Sequence, residues 1–184
     1  KMVKYLGTKQ LETNRLMLRK FSIDDAENMF KNWANDKEVT KYLSWPPHGR
    51  IEVTKNVLIS WIDNYKNMEV YNWGIVAKDI GEVIGSISVV NHSCKSLVCE
   101  IGYCISKAYW NKGITTEALK AVIKFLIKEV RVERVHAFHN INNVASGKVM
   151  QKAGMIFEGK LRKYHLNRDG VLEDVNMYSK IDTD

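Results

Sequence analysis

The chain has 184 residues, of which 45% are hydrophobic and 27% are charged, and its formal net charge is +7. This length and composition are typical of one globular domain with a full apolar core, and they exclude a disordered or fibrous protein. The excess of basic residues favours an anionic partner, which includes nucleic acid, an acidic protein or a phosphorylated cofactor. From the length and composition, we predict a single domain over residues 1–184.

Cysteine usage and hydropathy bear on the compartment. Cys94, Cys99 and Cys104 are an odd number at five-residue spacing, which fits neither a disulfide framework nor a zinc site. In a strand, Cys99 and Cys104 would also point to opposite faces. No apolar run of about 18 residues and no signal-peptide pattern is found. The sequence therefore predicts reduced thiols, no metal, no membrane contact and a cytoplasmic location.

Strand and helix signals alternate at the start of the chain. Residues 14–21, NRLMLRKF, place Leu16 and Leu18 on one side of a strand, and Ser22 then offers a hydroxyl to cap a helix, with Asp25 as its capping-box partner. Apolar side chains at helical spacing follow in two groups, one before and one after a loop with both prolines: Ala26, Met29, Phe30 and Trp33, then Val53, Val57, Leu58, Trp61, Ile62 and Tyr65.

The period changes to two in the middle of the chain. Strand patterns separated by turns at 79–82 and 91–96 predict an antiparallel meander with strands at 71–77, 83–90 and 97–106. A helix at about 114–129, a strand at 133–139 and a helix at 143–153 follow. Gly154 is well placed to end the last of these. Two strands, 155–166 and 172–180, flank a hairpin turn at 167–170.

This order of elements predicts a mixed α+β (mixed α/β) fold. The sheet is expected to be central, twisted and mostly antiparallel, with helices on both faces. One helix connects the strands at 97–106 and 133–139, so we expect these two strands to lie side by side and parallel, with a right-handed crossover.

The stretch YWNKGITTEA, residues 109–118, lies where the strand pattern gives way to the long helix. Neither the dinucleotide motif nor the P-loop motif fits, because only Gly113 is present and Lys112 precedes it. The stretch still offers free backbone amides at the positive end of a helix, with Lys112, Thr115 and Thr116 as further donors. Its residues by themselves leave an anion site and an ordinary helix start as alternatives.

Motifs in a defined order extend this stretch. They are E-x-G-Y at 100–103, W-x-K-G-x-T-T-E-A at 110–118, N-x-x-S at 143–146 and G-M-x-F-E-G at 154–159. Together they resemble the GNAT acetyltransferase superfamily. The opening TNRLMLR and DDA segments resemble the branch of the ribosomal-protein N-terminal Ser/Ala acetyltransferases. The resemblance covers about residues 11–181, and it implies a GNAT-like sheet with one splayed parallel pair and an acyltransferase that uses acetyl-CoA.

The resemblance also implies a cofactor site. In the family, backbone amides in a motif [Q/R]-x-x-G-x-[G/A] bind the CoA pyrophosphate, and the pantetheine arm pairs with the preceding strand. The motif falls on Trp110, Gly113 and Thr115, of which Trp110 and Thr115 depart from the family pattern. The implied cofactor-binding residues are Cys104, Ile105, Ser106, Lys112, Gly113, Ile114, Thr115, Thr116, Asn143 and Ser146.

Two catalytic residues follow from the same resemblance. Glu100 matches a family glutamate and is the candidate base, acting through water or in a desolvated pocket because an ordinary carboxylate is a weak base. Met150 stands where many relatives carry a tyrosine acid, so Ser146 becomes the candidate that stabilises the thiolate. A surface or salt-bridged Glu100 and a purely structural Ser146 remain the alternatives, and His139 and Tyr164 are reserve candidates.

The acceptor is less well defined by the sequence. We expect a primary amine, with a protein N-terminus as one class and a polyamine, small amine or aminoglycoside as another. We expect the acceptor to enter opposite the cofactor, between the helices near the start of the chain and the last hairpin. The residues considered for its pocket are Tyr42, Trp45, His48 and Trp73.

A non-enzymatic alternative rests on basic residues near the closing hairpin. In this alternative, Lys160, Arg162, Lys163 and His165 mark a nucleic-acid or ribosome-binding surface, but the apolar Leu161 and Tyr164 interrupt the run. Nucleic acid is therefore the less favoured partner. The sequence leaves both a monomer and a homodimer as alternatives.

Overall fold

The computed structural model describes residues 2–90 and 97–184. Within these residues, eight strands form one sheet. They are β1 (Leu11–Glu12), β2 (Leu16–Arg19), β3 (Asn72–Ala77), β4 (Glu82–Val90), β5 (Val98–Ile105), β6 (Arg134–Asn140), β7 (Ile156–Leu166) and β8 (Leu172–Ile181). Their order is β1-β2-β3-β4-β5-β6-β8-β7, with β5 and β6 the parallel pair. The predicted mixed fold and its parallel neighbours are confirmed.

Helices cover both faces of the sheet. The α-helices of the described residues are α1 (Ala26–Met29), α2 (Lys37–Thr40), α3 (Ile51–Asn64), α4 (Ile114–Phe125) and α5 (Val144–Lys152). One apolar core lies under α4 and α5, and a second lies under α1 and α3. Among residues 2–90 and 97–184, every helix is too short or too polar to span a bilayer.

The predicted element boundaries hold to within a few residues, but the helical stretch after Ser22 and the end of the α4 stretch, Leu126–Val130, contain π-helical turns. The helical stretch after Ser22 is a succession of short turns, in which a π-helical turn, Phe30–Ala34, follows α1. Its start is fixed as predicted, because Ser22 N–H donates to Asp25 Oδ2 at 2.8 Å. Arg19 also donates to both oxygens of the buried Asp25, at 2.8 and 2.9 Å. These hydrogen bonds raise the pKa of Arg19.

Two cysteines of β5 differ in state. Cys104 is a free thiol, whereas Cys99 is disulfide-bonded. The two lie on opposite faces of the strand, as predicted, and pack into different cores. The prediction of a reduced Cys99 is wrong, because the opposite-face argument excludes only a bond between Cys99 and Cys104. Cys94 and the turn predicted at 91–96 lie outside the described residues.

The parallel pair is hydrogen bonded along only part of its length. In the register, Val98 to Glu100 of β5 pair with Arg134 to His136 of β6. Beyond this point β5 continues to pair with β4, and β6 continues to pair with β8. The two central strands therefore diverge, which leaves an opening in the middle of the sheet.

A glycine allows β4 to approach β5 at the edge of this opening. Gly85 pairs with Ile105, and a Cβ atom at Gly85 would collide with the carbonyl oxygen of Cys104. A backbone oxygen cannot move aside without shifting its strand. Gly85 therefore fixes how closely the end of β5 is held against β4.

We predict that Gly85→Ala lowers the free energy of unfolding by about 1–3 kcal/mol, because the added methyl group overpacks a backbone contact. Urea unfolding of the purified chain measures this. The control is Gly102→Ala on the facing strand, where the added Cβ would lie 3.3 Å from a side-chain methyl group of Val90 that can adjust. Equal stabilities of the two variants would contradict the prediction.

Candidate active site

A groove of about 1150 Å³ follows the opening between β5 and β6. It is lined by β5, the start of α4, the start of α5, the loop after α2 and the last hairpin. Most of the predicted site residues lie along it: Glu100, Cys104, Ile105, Gly113, Ile114, Thr115, Thr116, Asn143 and Ser146. The structure therefore brings together residues that are separated by up to 46 positions in the sequence.

The start of α4 offers backbone donors to this groove. Gly113 has a φ of 74°, a left-handed conformation that favours glycine, and α4 begins at the next residue. The first bond of the helix is from Glu117 N–H to Gly113 O at 3.0 Å. The amides of Ile114, Thr115 and Thr116 therefore have no carbonyl within the helix to bind. Such a turn fits the pyrophosphate of CoA.

A network of side chains holds this turn against the β1–β2 hairpin. Arg15 Nε donates to Glu117 Oε1 at 2.9 Å, and Arg15 N–H donates to Glu117 Oε2 at 3.0 Å. Thr13 Oγ1 donates to the same Oε2 at 2.6 Å. Arg15 Nη1 also donates to the carbonyl of Lys112 at 2.9 Å, directly before Gly113. Burial alone would raise the pKa of Glu117, but these hydrogen bonds lower it.

Two of the predicted cofactor residues face elsewhere. The exposed Lys112 places Nζ 5.5 Å from the centre of the Tyr109 ring, and it does not line the groove. The amide of Ser106 donates to Ile84 O at 2.7 Å, so it extends the ladder to β4. These contacts leave the amide of Ser106 engaged by protein.

The register of β5 indicates which backbone groups reach the opening. Because Ser106 bonds toward β4, alternation points the backbone groups of Ile101, Tyr103 and Ile105 to the opposite edge. The carbonyl of Ile105 already accepts from Trp110 Nε1 at 3.0 Å. The expected pairing with a pantetheine arm therefore moves toward Tyr103 and Ile101, a shift that the sequence motif did not indicate.

Glu100 lies where β5 and β6 separate. Its side chain is buried, and Oε1 lies 3.2 Å from His136 Nε2. The other ring nitrogen of His136, Nδ1, is buried and has no partner among the described residues. A surface glutamate is therefore excluded, and Glu100 is a buried carboxylate beside a histidine at the floor of the groove.

Ser146 contacts a tyrosine that the sequence analysis did not single out. Tyr103 Oη donates to Ser146 O at 3.1 Å and lies 2.9 Å from Ser146 Oγ. Burial raises the pKa of Tyr103. The E-x-G-Y motif contained this residue, but the motif gave no sign that its hydroxyl meets α5. Met150, by contrast, is buried in the core.

Among the remaining candidates around α5, His139 and Tyr164 contact other protein groups. Asn143 is the N-cap residue of α5, and its side chain makes no capping bond within the described chain. His139 Nδ1 donates to Asn140 O at 2.7 Å, and its ring packs against Gly147. Tyr164 is half exposed and meets the ring of Phe138 edge-on at 5.5 Å.

The far end of the groove lies between the loop after α2 and the β7–β8 hairpin. Tyr42 and Trp45 line it, as the sequence analysis considered, but Trp73 is fully buried in the core. His48 packs on Trp45 and places Nδ1 2.6 Å from Thr54 Oγ1. Neither lines the groove, because Trp73 lies in the core and His48 is turned toward Trp45 and Thr54 of α3.

Arg168 joins the β7–β8 hairpin to the loop after α2, which are the two walls of this end. Arg168 Nη1, at the tip of the hairpin, donates to Thr40 O at 2.8 Å and to Trp45 O at 2.6 Å. These carbonyls lie at the two ends of the segment that contains Tyr42. Sequence patterns did not indicate this contact, since Arg168 lies within an ordinary hairpin turn.

Comparisons with known proteins agree with this geometry. The family model described as acetyltransferase (GNAT) domain matches residues 15–156. The uncharacterized N-acetyltransferase YoaA of Bacillus subtilis (strain 168) is 32% identical over 169 residues, covering 92% of this chain and 94% of YoaA. The ribosomal-protein-serine acetyltransferase of Escherichia coli (strain K12) is 30% identical over 100 residues, covering 54% of this chain and 55% of that protein.

A solved structure gives the same result for the fold. The crystal structure of a GNAT-family acetyltransferase from Bacillus anthracis has a TM-score of 0.82 and 27% identity, covering 96% of this chain and 100% of that chain. The fold and the site thus define an acyl-CoA-dependent transferase. The chain belongs to the GNAT acetyltransferase family, and it is an N-acetyltransferase whose cosubstrate is acetyl-CoA.

We predict that Arg15→Ala raises the KM for acetyl-CoA about tenfold and leaves kcat within about twofold, because losing charged hydrogen bonds loosens the turn before α4. Steady-state kinetics at saturating acceptor measure both constants. The control is Lys78→Ala, because Lys78 binds Glu12 and the carbonyl of Thr13 in the same hairpin without contacting α4. An equal rise in KM for this control would contradict the prediction.

We predict that Arg168→Ala raises the KM for the amine acceptor about threefold to tenfold and leaves the KM for acetyl-CoA unchanged. The reason is that the hydrogen bonds from Arg168 to Thr40 O and Trp45 O, together worth about 1–2 kcal/mol, hold the hairpin against the loop after α2. Arg162→Ala removes the same charge from the same hairpin and is the matched control. A larger effect on acetyl-CoA than on the acceptor would show that Arg168 has another role.

Proposed function

We propose that this enzyme acetylates the free amine at the N-terminus of a protein or peptide, by direct attack in a ternary complex. The observation that carries the proposal is the continuity of the groove. One end has the backbone amides of Ile114, Thr115 and Thr116, which have no partner within α4. The other end lies between Tyr42, Trp45 and Tyr164. Glu100 lines the same groove, so an amine that enters the second end shares the groove with this carboxylate.

Each part of the reaction has a candidate residue in the groove. Acetyl-CoA, when bound, supplies the acetyl thioester. The amides of Ile114, Thr115 and Thr116 bind its pyrophosphate, and Gly113 lets the backbone turn toward it. Glu100 takes the proton of the acceptor amine through a water molecule, and Ser146 donates a hydrogen bond to the leaving sulfur. Asn143 lies beside Ser146 and contacts the pantetheine arm.

The acceptor class rests on the charge of the second end. Glu38 and Glu173 line it, but Glu38 pairs with Lys107 at 2.7 Å and Glu173 accepts from Asn167 at 2.8 Å. Lys41 adds a positive charge to the same wall. A polyamine or an aminoglycoside carries several positive charges and needs a set of unengaged carboxylates. A single N-terminal amine followed by peptide suits this end better.

One relative supports the same class of acceptor. The Escherichia coli protein that is 30% identical over 100 residues bears the name ribosomal-protein-serine acetyltransferase. The nucleic-acid alternative has weaker support, because Lys160 pairs with Asp174 at 3.2 Å, and the amide of Lys163 donates to the same carboxylate at 2.9 Å. The basic run therefore presents less positive potential than its sequence indicates.

We predict that a short peptide with a free N-terminal serine or alanine releases CoA thiol when mixed with the enzyme and acetyl-CoA. The matched control is the same peptide with its N-terminus already acetylated, which has no amine to attack. Spermidine and an aminoglycoside are tested in parallel. A higher kcat/KM for either of these than for the peptide would overturn the acceptor class.

Binding and chemistry are separated by two further measurements. Acetyl-CoA at about 100 times its dissociation constant is expected to stabilise the fold by about 2.7 kcal/mol in a thermal-shift titration. Glu100→Gln is expected to keep this stabilisation and to lower kcat about 100-fold or more, which is the usual contribution of a general base. An unchanged kcat would remove Glu100 from this role.

A further inference from the structure

The contact between Tyr103 and Ser146 lies directly on the groove. Tyr103 belongs to β5 and Ser146 to the first turn of α5, and both line the groove. The Tyr103 hydroxyl lies 2.9 Å from Ser146 Oγ and 3.1 Å from Ser146 O. One phenol therefore reaches both the backbone and the side chain of the serine that the proposed function assigns to the leaving sulfur.

The number of protons limits what this contact can do. Each hydroxyl has one proton to donate. While the phenol donates to the Ser146 carbonyl, the bond between the two hydroxyls must use the proton of the serine. That proton then points toward Tyr103. When the phenol donates to Ser146 Oγ, the proton of the serine is available to another acceptor.

We propose that Tyr103 is a positioning residue that donates to Ser146 Oγ and thereby directs the proton of the serine to the leaving sulfur. This inference rests on the proposed function, because it takes Ser146 as the residue that stabilises the thiolate. Tyr103 acts through Ser146 and does not itself give up its proton.

The bonds made and broken balance around this contact. A C–N bond forms between the acceptor amine and the acetyl carbon, and the proton of the amine leaves toward Glu100 through water. The C–S bond breaks, and its electron pair stays on sulfur. Ser146 Oγ–H donates a hydrogen bond to that sulfur while the Tyr103 phenol donates to Ser146 Oγ. A thiol has a pKa of about 8.5, so the thiolate needs a hydrogen bond rather than the complete transfer of the serine proton.

The surroundings favour this role over direct acid catalysis by Tyr103. Burial raises the pKa of the phenol, which keeps it protonated. The resemblance places a tyrosine acid at Met150, yet that side chain is 1% exposed and packs in the core. The hydroxyl group near the groove is therefore that of Tyr103 on β5. Its distance to Ser146 Oγ matches a direct hydrogen bond.

A double-mutant cycle tests the coupling. The kcat for acetyl-CoA and the peptide acceptor is measured for the unmodified enzyme, Tyr103→Phe, Ser146→Ala and the double variant. We expect Tyr103→Phe to lower kcat about tenfold with the KM for acetyl-CoA within about twofold. In the Ser146→Ala background the same change is expected to lower kcat by less than about twofold, because residues that act through one contact are not additive.

The control is Tyr65→Phe. The Tyr65 hydroxyl also bridges two groups, accepting from Phe21 N–H at 2.9 Å and donating to Asn72 O at 2.8 Å, but it does not line the groove. We expect this variant to lose stability and to keep its kcat. An equal loss of kcat from Tyr103→Phe in both backgrounds, or no loss at all, would overturn the inference while the proposed function stands. If the unmodified enzyme acetylated no acceptor, both would fall together.

A second variant covers the case in which Tyr103→Phe does not fold. Replacing Tyr103 with 3,5-difluorotyrosine keeps the ring and the hydroxyl but makes the phenol more acidic. Once ionised, the phenol accepts the proton of Ser146 and cannot donate to it. The alkaline fall of kcat is therefore expected to begin at a lower pH than in the unmodified enzyme, with acetyl-CoA binding retained. Superimposable pH profiles would overturn the role of Tyr103.

Discussion

The divergence of β5 from β6 determines where this sheet can bind a ligand. Parallel strands in the middle of a sheet normally satisfy each other's backbone groups. Here the pairing ends at Glu100, and each strand is held apart from the other by its outer neighbour, β4 or β8. The opening cannot close without breaking one of those ladders. A binding groove is therefore part of the sheet before any ligand arrives.

The protein satisfies only some of the polar groups along this opening. Trp110 caps the carbonyl of Ile105, and Tyr103 reaches across to Ser146. The amides of the α4 turn and the inner edge of β5 remain for a ligand, because buried backbone groups need a partner. An extended arm that ends in a pyrophosphate supplies partners of both kinds. The groups that would destabilise a simple sheet are thus the ones to which we propose that acetyl-CoA binds.

Contacts between distant segments set the two ends of the groove. At one end, Arg15 and Glu117 join the first hairpin to α4 across 102 positions. At the other end, Arg168 joins the last hairpin to Thr40 across 128 positions. Both are hydrogen bonds from a charged guanidinium group to a partner in a distant segment. The ends of the chain therefore shape the site, although the motifs of the family lie in its middle.

Much of this followed from the sequence. Periodicity predicted β5, α4 and β6 and their parallel arrangement, because alternating and helical spacing report which side of an element is buried. The ordered motifs predicted the α4 turn, and most of the motif residues line one groove. The sequence did not indicate Tyr103, Arg168 or the disulfide state of Cys99. Periodicity says which face a side chain occupies, but not which distant atom it meets.

Local spacing and motifs were therefore enough to predict the set of elements, the family and the position of the turn before α4. The tertiary structure alone decided that Ser106 is engaged by β4 and that Trp73 is core. It also decided that the tyrosine beside Ser146 comes from β5. The physical reason is that hydrogen-bond partners and burial depend on register and on packing between segments far apart in the chain.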